Sequence, residues 1–133
     1  MNQSSFSHTR AVIELIDRAE TFCSKVEAKL ADAAPLPPAD DVELRGKLGL
    51  CRNQIAHLQS LNDHSITNAE MREGLRHLII AMMWVAFYAR AAIDYKIYRM
   101  LLTVESTFTY LLMKQVPKFE TNGGGFQSEM PSS

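Results

Sequence analysis

The fold of this chain depends on its longest stretch without a helix breaker, residues 68–116, which reads NAEMREGLRHLIIAMMWVAFYARAAIDYKIYRMLLTVESTFTYLLMKQV. Its one glycine is Gly74, near the start, and no proline follows until Pro117. Because nothing local forces an end, the stretch is predicted to form one very long helix, roughly 70 Å at 1.5 Å per residue. If that helix breaks, we expect the break near residues 91–95, where a fourth helix would begin.

Apolar residues recur on two opposite sides of this predicted helix. The first side is the predicted core face: Met82, Ala86, Ala89, Ile93, Ile97, Met100, Val104, Phe108 and Leu111. The second side is rich in aromatic residues: Trp84, Tyr88, Ala91, Tyr95, Tyr98, Leu102, Thr109 and Leu112. A helix with two apolar faces needs two covering layers, because one layer would leave large aromatic side chains in water. Either two helices of the same chain cover it, or a second subunit covers the aromatic face.

The aromatic face is the candidate interface between subunits or with a partner protein. Tryptophan, tyrosine and arginine dominate interface hot spots, because they combine a large contact area with a polar group. The predicted interface residues are Trp84, Tyr88, Tyr95, Tyr98, Arg99 and Leu102. An intramolecular core and a small-ligand pocket are the alternative interpretations of the same pattern.

The start of the long helix carries a capping pattern. Thr67 is predicted as the N-cap, with Glu70 three residues later to reach back to it. Ile66 and Met71 would form a hydrophobic staple across the first turn.

Two shorter amphipathic helices precede this stretch, at about residues 9–33 and 41–61. The prolines of residues 35–38 end the first, because proline cannot continue a helix. Asp40 is the predicted N-cap of the second, which contains Gly46 and Gly49. Those glycines indicate either a close helix crossing or local bend, or a tolerated weakness of roughly 1 kcal/mol each in an exposed stretch.

The predicted fold is therefore an all-α antiparallel bundle of three, possibly four, helices with one very long C-terminal helix. Residues 1–116 would form a single bundle domain, and residues 117–133 a flexible tail.

Composition excludes several classes of function. The net charge of −1 leaves no basic footprint for nucleic acid. The most apolar run, residues 78–89, is too short for the roughly twenty residues of a membrane span. The N-terminal segment lacks the apolar core of a signal peptide, so we expect a cytoplasmic protein. Cys23 and Cys51 are then expected to be buried, reduced thiols.

Only one group of residues resembles a chemical site. Glu70, Glu73 and His77 share one side of the predicted helix, so two carboxylates and an imidazole could converge on a metal ion. The structural interpretation is favoured, because capping accounts for Glu70 and pairing with Arg76 accounts for Glu73. We therefore expect no metal, no cofactor and no enzymatic activity.

The sequence favours a non-enzymatic protein-protein interaction protein of the adaptor, chaperone or inhibitor type. It would act through the aromatic face and form a homodimer, with another protein as partner. The alternative is a ligand- or metal-binding helical bundle, possibly enzymatic, built around the same aromatic face and Glu70, Glu73 and His77.

Overall fold

The computed structural model describes the backbone of residues 2–123 and the side chains of residues 8–114. Four helices form this part of the chain: α1 (Asn2–Asp32), α2 (Pro38–Ser60), α3 (Ala69–Tyr88) and α4 (Tyr95–Gly123). The prediction of an all-α bundle is confirmed.

The helices pack in a ring in which α1 contacts α2 and α4, and α3 also contacts α2 and α4. Cross-helix contacts show that neighbours run antiparallel. Lys47 in the first half of α2 lies over Trp84 near the end of α3, whereas His57 near the end of α2 pairs with Glu70 at the start of α3. Lys29 near the end of α1 meets Asp94, just before α4. An up-down-up-down bundle with short connections explains all three contacts.

The core lies along the ring's axis and follows the apolar face of each helix. On α1 the fully or nearly fully buried residues are Val12, Leu15, Ile16, Ala19, Phe22, Cys23 and Val26. On α2 they are Leu44, Leu48, Cys51, Ile55 and Leu58, whose spacings of three and four place them on one face of the helix. Burying one such side chain contributes about 1.5–3 kcal/mol, so these faces supply most of the force that holds the bundle together.

The prediction of one very long C-terminal helix is wrong. The stretch folds as two helices joined by a turn over residues 89–94, close to the alternative break point predicted at residues 91–95. The α3 ladder ends where the Arg90 amide bonds the Phe87 carbonyl and the Ala92 amide bonds the Ala89 carbonyl. Asp94 then caps α4, because its Oδ1 accepts a hydrogen bond of 2.9 Å from the Ile97 amide.

Two other predicted caps are also wrong. Asn68, not Thr67, is the N-cap of α3, and its side chain accepts a hydrogen bond of 3.1 Å from the Glu70 amide. The Thr67 hydroxyl instead contacts Ser65 at 2.6 Å. Helix α2 begins at Pro38 after Pro37 without a side-chain cap, so Asp40 lies in its first turn. Proline suits the first helical position, because that position's amide has no partner within the helix.

The first and last helices are longer than predicted. Helix α1 begins at Asn2, seven residues before the predicted start at residue 9. Helix α4 continues through Pro117 to Gly123, so the helix does not end at Val116. The rest of the predicted tail, residues 124–133, lies outside the described residues.

Gly74, and not Gly46 or Gly49, marks the close helix crossing. A Cβ atom at Gly74 would clash with Leu58 Cδ2 and lie 2.9 Å from Gln54 Nε2, both on α2. Leu58 is fully buried, so it cannot move aside without disturbing the core. A Cβ atom at Gly46 or Gly49 would meet no heavy atom within 4 Å, which favours the interpretation of those two as tolerated helix weaknesses.

Gly74→Ala should therefore destabilise the protein by about 1–3 kcal/mol, since it overpacks the α2–α3 contact. Gly49→Ala is the matched control and should stabilise it by about 0.5–1 kcal/mol, because the helix gains alanine's propensity in open space. Urea unfolding followed by circular dichroism measures both. A gain in stability from Gly74→Ala would contradict the tight crossing.

Candidate interaction surface

The outer face of α3 carries a group of exposed apolar side chains, Ile80, Met83, Trp84 and Phe87, here called the α3 patch. Between 45% and 52% of the surface of each of these residues is exposed. Their spacings of three, one and three place them on one side of two helical turns. The buried residues of α3, such as Leu78, Met82 and Val85, lie on the opposite side.

Aromatic contacts hold this patch in a fixed arrangement. The Trp84 ring stacks on Tyr88 with centroids 5.8 Å apart, and Phe87 meets both rings edge-on, at 5.9 and 5.2 Å. Tyr88 is half-buried and packs against the core. Because Tyr88 anchors the cluster, Trp84 and Phe87 lose little further freedom on contact with a partner.

Two basic side chains lie over these aromatic rings. Lys47 Nζ of α2 is 5.8 Å from the Trp84 ring centre, and the Arg90 guanidinium is 4.7 Å from that of Phe87. Arg90 also donates a hydrogen bond of 2.7 Å to the Phe87 carbonyl. Among the described residues, each ion pair joins a carboxylate to some other basic side chain, so neither Lys47 nor Arg90 has an acidic partner. Cation–π contacts at exposed sites contribute only about 0.5–1 kcal/mol each.

The outer face of α4 carries a second exposed group, the α4 stripe. Its members are Tyr95, Tyr98, Leu102, Tyr110 and Met113. Tyr95 is the most exposed of them, at 70%. Arg99 lies 5.8 Å from the Tyr95 ring centre and Lys114 lies 5.3 Å from that of Tyr110. A shallow depression of about 510 Å³ runs along this face beside Tyr95, Arg99 and Leu102.

The predicted interface residues divide between these two surfaces. Trp84 and Tyr88 lie on α3, whereas Tyr95, Tyr98, Arg99 and Leu102 lie on α4. The turn at residues 89–94 separates the two sets, so they form two faces at one end of the bundle rather than one stripe. Sequence reasoning missed Ile80, Met83, Phe87, Tyr110 and Met113. The spacing from Ile80 to Phe87 is the signal that could have revealed the α3 patch.

The metal-site candidates do not converge. Glu70 pairs with His57 Nε2 at 3.1 Å, and Glu73 pairs with Arg76 Nε at 3.7 Å. His77 is exposed on the same helix. Among the residues that the structure describes, no three His, Cys, Asp or Glu side chains come close enough to hold a metal ion. The carboxylates of this group thus contact basic side chains at the surface, and such contacts contribute little energy.

The two cysteines face each other across α1 and α2. Cys23 and Cys51 are both buried and free, as predicted. The hydrogen bond between the two thiols raises the pKa of Cys51, and burial adds to this effect. The same hydrogen bond lowers the pKa of Cys23, although burial opposes it. Cys51 is therefore the protonated thiol of the pair, and a buried, protonated thiol is a poor nucleophile.

A groove of about 450 Å³ separates α1 from α2 beside Gly49 and Leu48. Its basic residues are already paired: Arg52 binds Glu27 at 2.7 Å and Arg45 binds Asp41 at 3.1 Å. Because internal carboxylates neutralise both arginines, the groove lacks the free charge that would select an ionic ligand.

No described helix is long and apolar enough to cross a membrane. Comparisons with protein-family models, with curated proteins and with solved structures found no match.

Substitution can distinguish the α3 patch from the core. Met83→Gln should change the free energy of unfolding by less than about 1 kcal/mol, because that side chain already meets water. Phe87→Gln should cost about 1–2 kcal/mol, because it also loses the edge-on contacts with Trp84 and Tyr88. Leu78→Ala, on the buried side of the same helix, should cost about 2–5 kcal/mol. Urea unfolding measures all three. A loss for Phe87→Gln as large as that for Leu78→Ala would mean that the fold itself covers the patch.

Proposed function

We propose that this chain is a non-enzymatic protein-protein interaction protein of the adaptor, chaperone or inhibitor type. It acts through the exposed apolar and aromatic faces of α3 and α4. One observation carries the proposal: on two consecutive helices, large apolar side chains follow helical spacing on the face opposite the core. A cytoplasmic location and the absence of a nucleic-acid partner stay predictions.

The grouping of these residues supports the proposal more than their number does. Single exposed apolar residues are normal on protein surfaces, whereas contiguous groups mark contact sites. Roughly half of each α3-patch residue is exposed. Covering that half would stabilise a complex by about 1 kcal/mol per residue, since full burial is worth about 1.5–3 kcal/mol. An aromatic cluster that is already ordered keeps more of this gain, because less side-chain entropy is lost.

In this proposal, two copies of the chain associate through the α4 stripe. An isologous contact uses the same patch twice and closes into a two-fold dimer. Antiparallel packing of α4 against the α4 of a second copy would cover Tyr95, Tyr98 and Leu102 together, with Arg99 at the rim. The charged head of Arg99 can stay in water at that position while its stem packs on Tyr95.

Tyr95→Glu should dissociate this dimer, because it places a carboxylate in a contact that is otherwise apolar. Light scattering at tens of micromolar protein measures the effect. The unmodified chain, of 15.0 kDa, should give twice its monomeric mass, and Tyr95→Glu should give the monomeric mass.

Lys25→Glu is the control, since it changes charge on the exposed face of α1, and it should remain dimeric. A monomeric mass for the unmodified protein at these concentrations would contradict the dimer.

The wider proposal is tested by affinity capture from native lysate with matched baits. Proteins that bind the unmodified chain and are lost with Trp84→Glu or Tyr95→Glu, but not with Lys25→Glu, would support it. Recovery of the same proteins by all four baits would contradict a role for these faces.

A further inference from the structure

We infer that the α3 patch binds an acidic amphipathic helix of a partner protein. The apolar side of that helix would cover Ile80, Met83, Trp84 and Phe87, and its carboxylates would pair with Lys47 and Arg90. This inference rests on the proposed function and adds the chemistry of the partner.

The positive charge at the patch favours a partner with negative charge. Lys47 and Arg90 lie over the Trp84 and Phe87 rings that a partner must cover. A purely apolar partner that covered both rings would remove Lys47 and Arg90 from water, and only the bond from Arg90 to the Phe87 carbonyl would compensate. Removing a charge from water without an acidic partner costs far more than a cation–π contact contributes. Carboxylates on the partner would satisfy them, and charge-assisted hydrogen bonds to arginine are among the strong ones.

The spacing of the patch selects a helix as the bound element. Its residues occupy positions i, i+3, i+4 and i+7 from Ile80. That pattern is the apolar stripe by which one helix packs on another. The patch spans about 10 Å at 1.5 Å per residue, so two to three turns of a partner helix would cover it. The partner would thus extend the bundle by one helix.

A second copy of this chain fits the patch less well. A two-fold contact through the α3 patch would bring the Lys47 and Arg90 side chains of both copies to the same interface, where like charges repel. The exposed acidic side chains of α1, such as Glu14, Asp17 and Glu20, offer the opposite charge. Helices α1 and α3 lie on opposite sides of the ring, so one contact between two copies cannot use α1 and α3 of both. That contact would be heterologous and would build rings or open chains rather than a two-fold dimer.

Fluorescence can test this inference directly, because Trp84 is the only tryptophan and lies within the patch. The probes are two tryptophan-free synthetic helical peptides of about eighteen residues with leucines along one face. One peptide carries glutamates beside the leucines and the other carries lysines at the same positions. The glutamate peptide should shift Trp84 emission to shorter wavelength and saturate. The lysine peptide should bind at least about ten-fold more weakly, a difference of about 1.4 kcal/mol.

Two variants with the same change of charge complete the test. Lys47→Glu should lower the affinity for the glutamate peptide and raise the affinity for the lysine peptide. Lys25→Glu on α1 should change neither affinity by more than about two-fold. Neither variant alters the α4 stripe.

Equal affinity for the two peptides would overturn the acidic partner while leaving a protein-binding role for the patch. A saturable response to neither peptide would overturn helix docking on α3. The proposed function has its own tests, which are light scattering of the Tyr95→Glu variant and affinity capture with matched baits. Failure of the proposed function is therefore distinguishable from failure of the acidic-helix inference.

Discussion

The turn at residues 89–94 is the constraint on which this structure depends. It reverses a stretch that has helical propensity throughout, and so brings α4 back against α1 and α3. Asp94 stabilises the turn, because its carboxylate accepts a hydrogen bond from the Ile97 amide and pairs with Lys29 of α1 at 3.3 Å. The Ile97 amide, assisted by Lys29, lowers the pKa of Asp94 from its ordinary value, so the cap is charged at neutral pH. Arg90 bonds a carbonyl at the other end of the turn. Two side chains thus end one helix and start the next where the sequence has no glycine or proline.

The sequence predicts the inner faces of the bundle well and this turn poorly. Helical spacing locates the cores of α1 and α2 because apolar periodicity and burial have the same physical cause. It cannot locate the reversal, because the residues between Ala89 and Asp94 would also suit a helix. The amides of Arg90, Ala92 and Ile93 bond carbonyls three or four residues back, as in a helix. Ala89 and Ile97 are both buried, and one continuous helix would also place them on its core face, so these two residues do not reveal the reversal. Asp94 is the available signal, since aspartate favours N-cap positions, but a charged residue is also ordinary on the exposed side of a helix.

The candidate surface was partly predictable for a related reason. The sequence pattern places Trp84, Tyr95, Tyr98 and Leu102 on a face separate from the core, and all four are exposed. It places Tyr88 on the same face, but Tyr88 is half-buried and packs against the core. A single straight helix joined them into one stripe, whereas the turn gives α3 and α4 their own outer faces. Ile80, Met83 and Phe87 could not be assigned outward from composition alone, because Leu78, Ile79 and Met82 beside them are equally apolar and are buried. Packing against α2 decides which side of α3 is inside, and Gly74 at the Leu58 contact fixes that side.

The two outer faces follow from the same reversal, so its geometry is the property to measure. In one continuous helix His77 and Thr109 would lie about 48 Å apart. In the bundle, Arg76 and Phe108, their neighbours, are 5.7 Å apart from guanidinium carbon to ring centre. Spin labels on His77→Cys and Thr109→Cys, in a Cys23→Ala/Cys51→Ala background, measure this distance by pulsed electron paramagnetic resonance. The helical hairpin requires roughly 15–25 Å, allowing for the label linkers and for packed helix axes about 8–10 Å apart. A distribution centred near 50 Å would contradict the reversal and, with it, the separate outer faces of α3 and α4.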